Sequence, residues 1–299
     1  MALLPNAFPD DIAVQAQPRL QSAGTFRGLV RRHSGKVALW GPVTIFGLIV
    51  LACFLGPWLF NLPAYSDGSL SQANLGLGAP GHLFGTDPLG NDLLSRSFVG
   101  GRVSIEVGLG VTLAGALIGS NIGMFAGYFG GRVDTIIMRL IDVQLAFPAL
   151  ILALLISEYL GPSEFHEGIA LTVLTIPNYA RLSRAATLRI REREFVIAAR
   201  IMGANRHHIS IRHIYPNIIP SLITIFPITI AIVMLVEAAL SFLGAGIRPP
   251  APSWGNMIAT GQTIIQTTPI DVIVPGAFLF VTVFSLNLIG EQLRMRFGR

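Results

Sequence analysis

The stretch EREFVIAARIMGANRHHISIRHIYPNIIP, residues 192–220, decides how this chain is read. It interrupts segments almost free of charge, yet eight of the chain's 21 Lys and Arg fall between Arg181 and Arg212. From Arg189 to Met202 the pattern is helical. Phe195, Ala198, Ala199 and Met202 form an i, i+3, i+4, i+7 stripe, widened by Ile197 and Ile201, with Arg189, Arg193 and Arg200 opposite. Gly203 ends that helix, and Asn205 caps a shorter one running to about Ile214. Pro216 and Pro220 then break the run before the next apolar segment. Two small helices meeting at a glycine form a docking knob with a basic and apolar tip. A solvated interfacial loop is the plainer reading of the same pattern.

What flanks this loop is a membrane protein. Of 299 residues, 52% are hydrophobic and only 12% charged, and the mean hydropathy is +0.63, which excludes an ordinary soluble domain. The net charge of +5 and pI near 10.0 reflect Lys and Arg gathered in cytoplasmic loops rather than a nucleic-acid surface. The single Cys53 lies in an apolar run and supports neither a disulfide nor a Cys-based metal site. Residues 26–40 alternate bulky apolar with basic side chains, as in a short interfacial helix. The first long apolar run begins only at Val37, without a cleavage pattern after it, so a retained anchor is expected.

Spanning a bilayer takes about 20 mainly apolar helical residues. Six segments qualify: 37–60, 104–128, 136–159, 168–184, 217–243 and 271–289, the fourth short and interrupted by Pro177. The expectation is an all-α polytopic membrane protein with six transmembrane helices. Its parts are a cytoplasmic tail (1–36), a first span (37–60), an external segment (61–103), a five-helix core (104–292) with a loop at 185–216, and a cytoplasmic tail (293–299). With both termini inside, 18 of the 21 Lys and Arg are cytoplasmic, leaving Arg96, Arg102 and Arg248 outside.

Within the external segment, Asn91 or Asp92 ahead of Leu93, Leu94 and Phe98 signals an N-cap and a short amphipathic surface helix. Gly115, Gly119, Gly123, Gly127 and Gly131 recur every four residues, one smooth face for close helix packing. Packing within the subunit is favoured over a dimer seam. Among charges in spans, Asp142 is expected to pair with Arg139, Glu106 to be structural, and Glu237 near a span end, with Ser241 beside it, to line a path or gate.

No catalytic constellation is found. The chain has no GxxxxGK[ST] cradle, no HExxH and no GxSxG, and His207, His208 and His213 lack the carboxylate or Cys support of a metal site. If ATP drives this protein, another chain binds it.

Residue pattern alone leaves the loop's partner unnamed. The spacing Ala198-Ala199, three residues, Gly203, then Pro216 resembles the EAA loop of permease subunits in binding-protein-dependent ABC importers. HLFGTDPLGND (82–92), GYFGGRVDTIIMRLIDVQLAFP (127–148) and SFLGAGIRPPAPSWGNM (241–257) are similar to further motifs of the C-type permease in the peptide/nickel branch. Departures exist: Ile197 replaces the loop's glutamate, Glu194 lies on another face, and Asn91 stands where arginine is usual. The resemblance implies the ABC importer type I permease fold and a half-channel in the bacterial cytoplasmic (inner) membrane. A homologous second permease, two cytoplasmic ATPase subunits that hold ATP and Mg, and an extracytoplasmic solute-binding protein are the implied partners, besides the lipid bilayer. This chain itself would hold no cofactor. The resemblance also implies that Gly203 is a bend and that Ala204, Asn205, Arg206, His207, His208, Ile209, Ser210, Ile211 and Arg212 form the ATPase-coupling helix. The rival classes are a self-sufficient secondary transporter, which calls for midplane ionisable groups, and an intramembrane hydrolase.

Overall fold

A computed structural model describes residues 37–161, 163–247 and 249–297. The tail 1–36, with most of the expected interfacial helix, and Arg248 and Arg299 lie outside the described residues. Helix α1 (Val37–Leu59) leads through a loop with one short 3-10 turn (Leu70–Gln72) to α2 (Leu93–Phe129). Then follow α3 (Gly131–Leu145), α4 (Ala149–Leu160), α5 (Glu164–Ile190), α6 (Glu194–Ile201) and α7 (Arg206–Ile209). A π turn (Ser210–Ile214) joins α7 to α8 (Tyr215–Phe242), followed by α9 (Trp254–Gln262) and α10 (Ile270–Phe297). No strand is present among the described residues.

Four described helical runs are long and apolar enough to cross a bilayer: Leu39–Leu59, Leu93–Phe129, Arg206–Phe242 and Ile270–Phe297. The pair Gly131–Leu145 and Ala149–Leu160 makes a fifth if counted as one span. That pair corrects the expected continuous helix at 136–159, because its halves meet at 88°. The reason is Pro148, which has no N–H to donate and biases Phe147 away from the helical region. The expected fourth span is a single helix, α5, but Glu164, Glu167, Arg181, Arg184 and Arg189 leave it too polar for that class. Packing explains the composition: Ala170, Leu171, Thr175, Tyr179, Ala180, Ser183, Ala186 and Thr187 are all buried, so much of α5 faces protein.

Two further expectations are corrected. The residues after Asp92 form no separate surface helix; they are the first turns of the 37-residue α2, roughly 55 Å long. Asp92 is the cap, accepting from the Ser95 N–H at 2.8 Å. Likewise Pro216 and Pro220 do not interrupt the chain's return, since Arg206–Phe242 is continuous. Pro216 sits at the start of α8, and the preceding π turn, in which Tyr215 N–H donates to Ser210 C=O, shifts the ladder ahead of the missing donor.

The α2–α5 contact is built by glycine. A Cβ at Gly119 would lie 2.5 Å from the Ile176 carbonyl oxygen and 2.8 Å from Tyr179 Cβ. Gly115, Gly123 and Gly127 meet Thr175, Ala180 and Thr187 in the same way, so this face packs within the subunit. Gly131, the last of the five, meets nothing within 4 Å. A second cluster, with Cys53, Ile105, Met234, Trp254 and Leu286, gathers α1, α2, α8, α9 and α10.

Candidate functional site

The loop at 194–214 is rigid by construction. α6 ends where Met202 N–H donates to Ala198 C=O at 3.0 Å and Gly203 N–H to Arg200 C=O at 3.1 Å. Gly203 has φ +85°, and Ala204 N–H closes the turn onto Ala199 C=O at 3.0 Å. Asn205 then caps α7, accepting from the His208 N–H at 2.7 Å. The Ser210 hydroxyl donates to Arg206 C=O at 3.0 Å. Beneath, Val196, Ala199, Ile209, Ile214 and Ile218 are buried with Ala186, and partly buried Ala204, Met124 and Tyr128 pack on them. The loop is thereby seated on the ends of α2, α5 and α8.

This seating corrects the expected apolar stripe. Val196 and Ala199 face inward, whereas Phe195, Ile197, Ala198, Ile201 and Met202 are exposed, Ile201 and Met202 by about four fifths. Both sides of α6 are apolar, and only three-dimensional packing selects which one the subunit buries. Around the outward apolar side stand exposed Arg200, Arg206, His207, His208, Ile211, Arg212 and Pro216. Arg206 lies over the Phe129 ring at 5.6 Å. His213 packs its ring against His208 at 5.9 Å and Phe195 at 6.3 Å.

Ion pairs brace the same end of the molecule. Arg184 grips Asp134 with both Nε and Nη2, the latter at 2.6 Å, and Arg191 donates to the Gly127 carbonyl at 2.8 Å. Asp142 pairs with Arg181 at 2.6 Å, not with the expected Arg139. The straight α3 points Asp142 across to α5, where a guanidinium is available. Of α3 only Ile141 is buried, so charge and one Gln144 bond to the Val173 carbonyl carry much of its attachment.

At the opposite end, Glu106 pairs with Arg102 at 2.9 Å. Glu237 does not reach an interface: it is fully buried, accepting from Ser104 at 3.2 Å and Ser241 at 3.0 Å. Ser241 is buried too. What sequence reasoning missed is α9, whose Trp254 is buried and donates its indole N–H to Ser97 C=O at 2.8 Å. Ser253 and Asn256 cap α9 reciprocally, and Asn256 also holds the Ile247 and Ala251 carbonyls. A groove of ≈ 840 Å³ opens between α2 and α5, lined by Glu106, Val111, Ile118, Glu164, Phe165 and Thr172, without Glu237 or Ser241.

These features define a polytopic helical membrane subunit with a braced basic and apolar knob at one end. Residues 119–298 match the model of the binding-protein-dependent transport system inner membrane component. Over 272 residues the chain is 39% identical to a Brucella suis biovar 1 protein provisionally named a peptide transport system permease protein, covering 90% of this chain and 89% of that one. It is 35% identical over 259 residues to the dipeptide transport system permease protein DppC of Alkalihalophilus pseudofirmus (87% and 84% covered). It is also 35% identical over 269 residues to the glutathione transport system permease protein GsiD of Pectobacterium atrosepticum (90% and 88%). In fold it is similar to the MetNI methionine ABC transporter solved in inward-facing conformations, with TM-score 0.57 and 19% identity over 69% of this chain and 97% of that one. The chain belongs to the family of binding-protein-dependent transport system inner membrane components, the permease subunits of ABC transporters.

Proposed function

We propose that this chain forms half of the translocation channel of an ATP-driven importer of di- and oligopeptides or related small solutes. In that reading α1, α2, the bent α3–α4 pair, α5, α8 and α10 are six spans, and both termini are cytoplasmic. A homologous permease completes the channel, a binding protein delivers cargo, and two ATPase subunits that hold ATP and Mg dock on the loop. Ala198, Ala199, Gly203, the run from Ala204 to Arg212, and Pro216 are the coupling residues. The observation that carries this reading is the outward apolar side of α6 on a hydrogen-bonded, tightly seated loop. Exposed Ile201 and Met202 call for a protein cover, and a rigid knob transmits displacement that a flexible loop would absorb. Peptide cargo rests on what the relatives carry.

The test is uptake of a radiolabelled dipeptide by proteoliposomes holding the assembled complex. Uptake that requires ATP and the binding protein is expected. Uptake driven by an ion gradient without ATP would identify a secondary transporter instead.

A further inference from the structure

The continuous helical run Arg206–Phe242 leads from the knob to Glu237, roughly 45 Å away at 1.5 Å per residue. There Glu237 is fully buried and both carboxyl oxygens are engaged: Oε1 accepts from Ser241, one turn on in α8, and Oε2 accepts from Ser104 of α2. Ser104, also fully buried, accepts in turn the Trp254 backbone N–H at 3.3 Å, the first N–H of α9. That N–H is one a helix cannot satisfy within itself. A serine has one hydrogen to give, so with Glu237 taking it, the lone pairs of Ser104 are left for α9.

Elsewhere α9 meets its neighbours mainly by shape. A Cβ at Gly255 would lie 2.5 Å from Ala238 Cα of α8, and one at Gly261 would lie 2.9 Å from the Asp271 carbonyl carbon of α10. The Trp254 ring stacks on Phe278 of α10 at 6.1 Å, while its indole N–H holds α2 at Ser97. Such packing lets one helix slide against another. The Glu237–Ser104–Trp254 chain is directional and joins α8, α2 and α9 at one point.

We propose that Glu237 is a positioning residue that, through Ser104, makes α9 travel with α8, so that displacement of the knob reaches the opposite end of the molecule. This rests on the importer reading, in which the ATPases move the knob. A nitroxide at Gln262→Cys, at the exposed end of α9, reports the tie by EPR in the full complex, read against the complex without that cysteine. Glu237→Leu, which keeps the bulk but accepts nothing, and Ser104→Ala are both expected to mobilise the label. Glu237→Gln, whose amide can turn its oxygen to Ser104, is expected to hold it. Ser285→Ala removes a buried hydroxyl bonded to its own helix at Val281 C=O, and is expected to change nothing. The second readout is the stimulation of ATPase rate by dipeptide-loaded binding protein. It is expected to fall several-fold in Glu237→Leu and Ser104→Ala and to survive in Glu237→Gln; a residue that only filled space would leave it intact in Glu237→Leu. An immobile label in Ser104→Ala, a mobile label with stimulation intact, or Glu237→Gln behaving as Glu237→Leu would overturn the proposal. Should Glu237→Leu fail to assemble, Ser104→Ala decides alone. The label needs no ATP, so a wild-type complex without stimulation would refute the importer reading and not the tie.

Discussion

At Gly203 the backbone has φ +85°, while a Cβ there would meet nothing within 4 Å. Any other residue therefore meets a conformational cost of roughly 1–2 kcal/mol rather than a clash. We expect Gly203→Ala to insert normally and reduce transport several-fold. Gly203→Asp, which also adds an acid among Arg200, Arg206 and Arg212, should abolish ATPase co-purification while the permease still inserts. Wild-type pull-down and uptake by Gly203→Asp would refute the coupling role. Glu237→Ala removes the acceptor for Ser104 and Ser241, and lower uptake across the substrate range is expected; unchanged uptake would exclude the gate. That Gly203 ends a helix was legible from its neighbours, because a glycine after an apolar run is a local signal. That Glu237 is buried was not, because the residues covering it come from α9 and α2, far away in the chain.

Between elements, the decisive contacts are backbone on backbone and charge on charge. Gly119→Leu is expected to force α2 from α5 and leave no monodisperse complex on size exclusion, whereas Gly110→Ala on the same helix, which meets nothing within 4 Å, should behave as wild type. Equal behaviour of the two variants would argue against glycine-dictated packing. For α3, a double-mutant cycle with Asp134→Asn and Arg184→Gln is expected to give a coupling of about 1 kcal/mol in thermal stability. Additive effects would mean that α3 is held otherwise. The four-residue glycine period announced a close contact but not its partner. The Asp142 pairing shows why: i,i+3 spacing favours Arg139, yet the α3–α5 crossing brings Arg181 closer.

For the whole molecule, the proposed topology is testable because Cys53 is 1% exposed and leaves a silent labelling background. Ser71→Cys is expected to react with an impermeant maleimide in intact cells, and His207→Cys only after permeabilisation. The reverse pattern would invert the molecule.

By itself, the sequence determined that this is a helical membrane protein and where its apolar runs fall, while the loop at 192–220 was tied to a permease by its resemblance to a known family. The first two properties follow from composition and period, which are local. Tertiary structure alone decided the fusion of residues 93–103 into α2, the outward turn of α6 and the burial of Glu237. Each depends on which surfaces meet across long separations, and in a chain apolar on many faces, hydropathy does not choose among them.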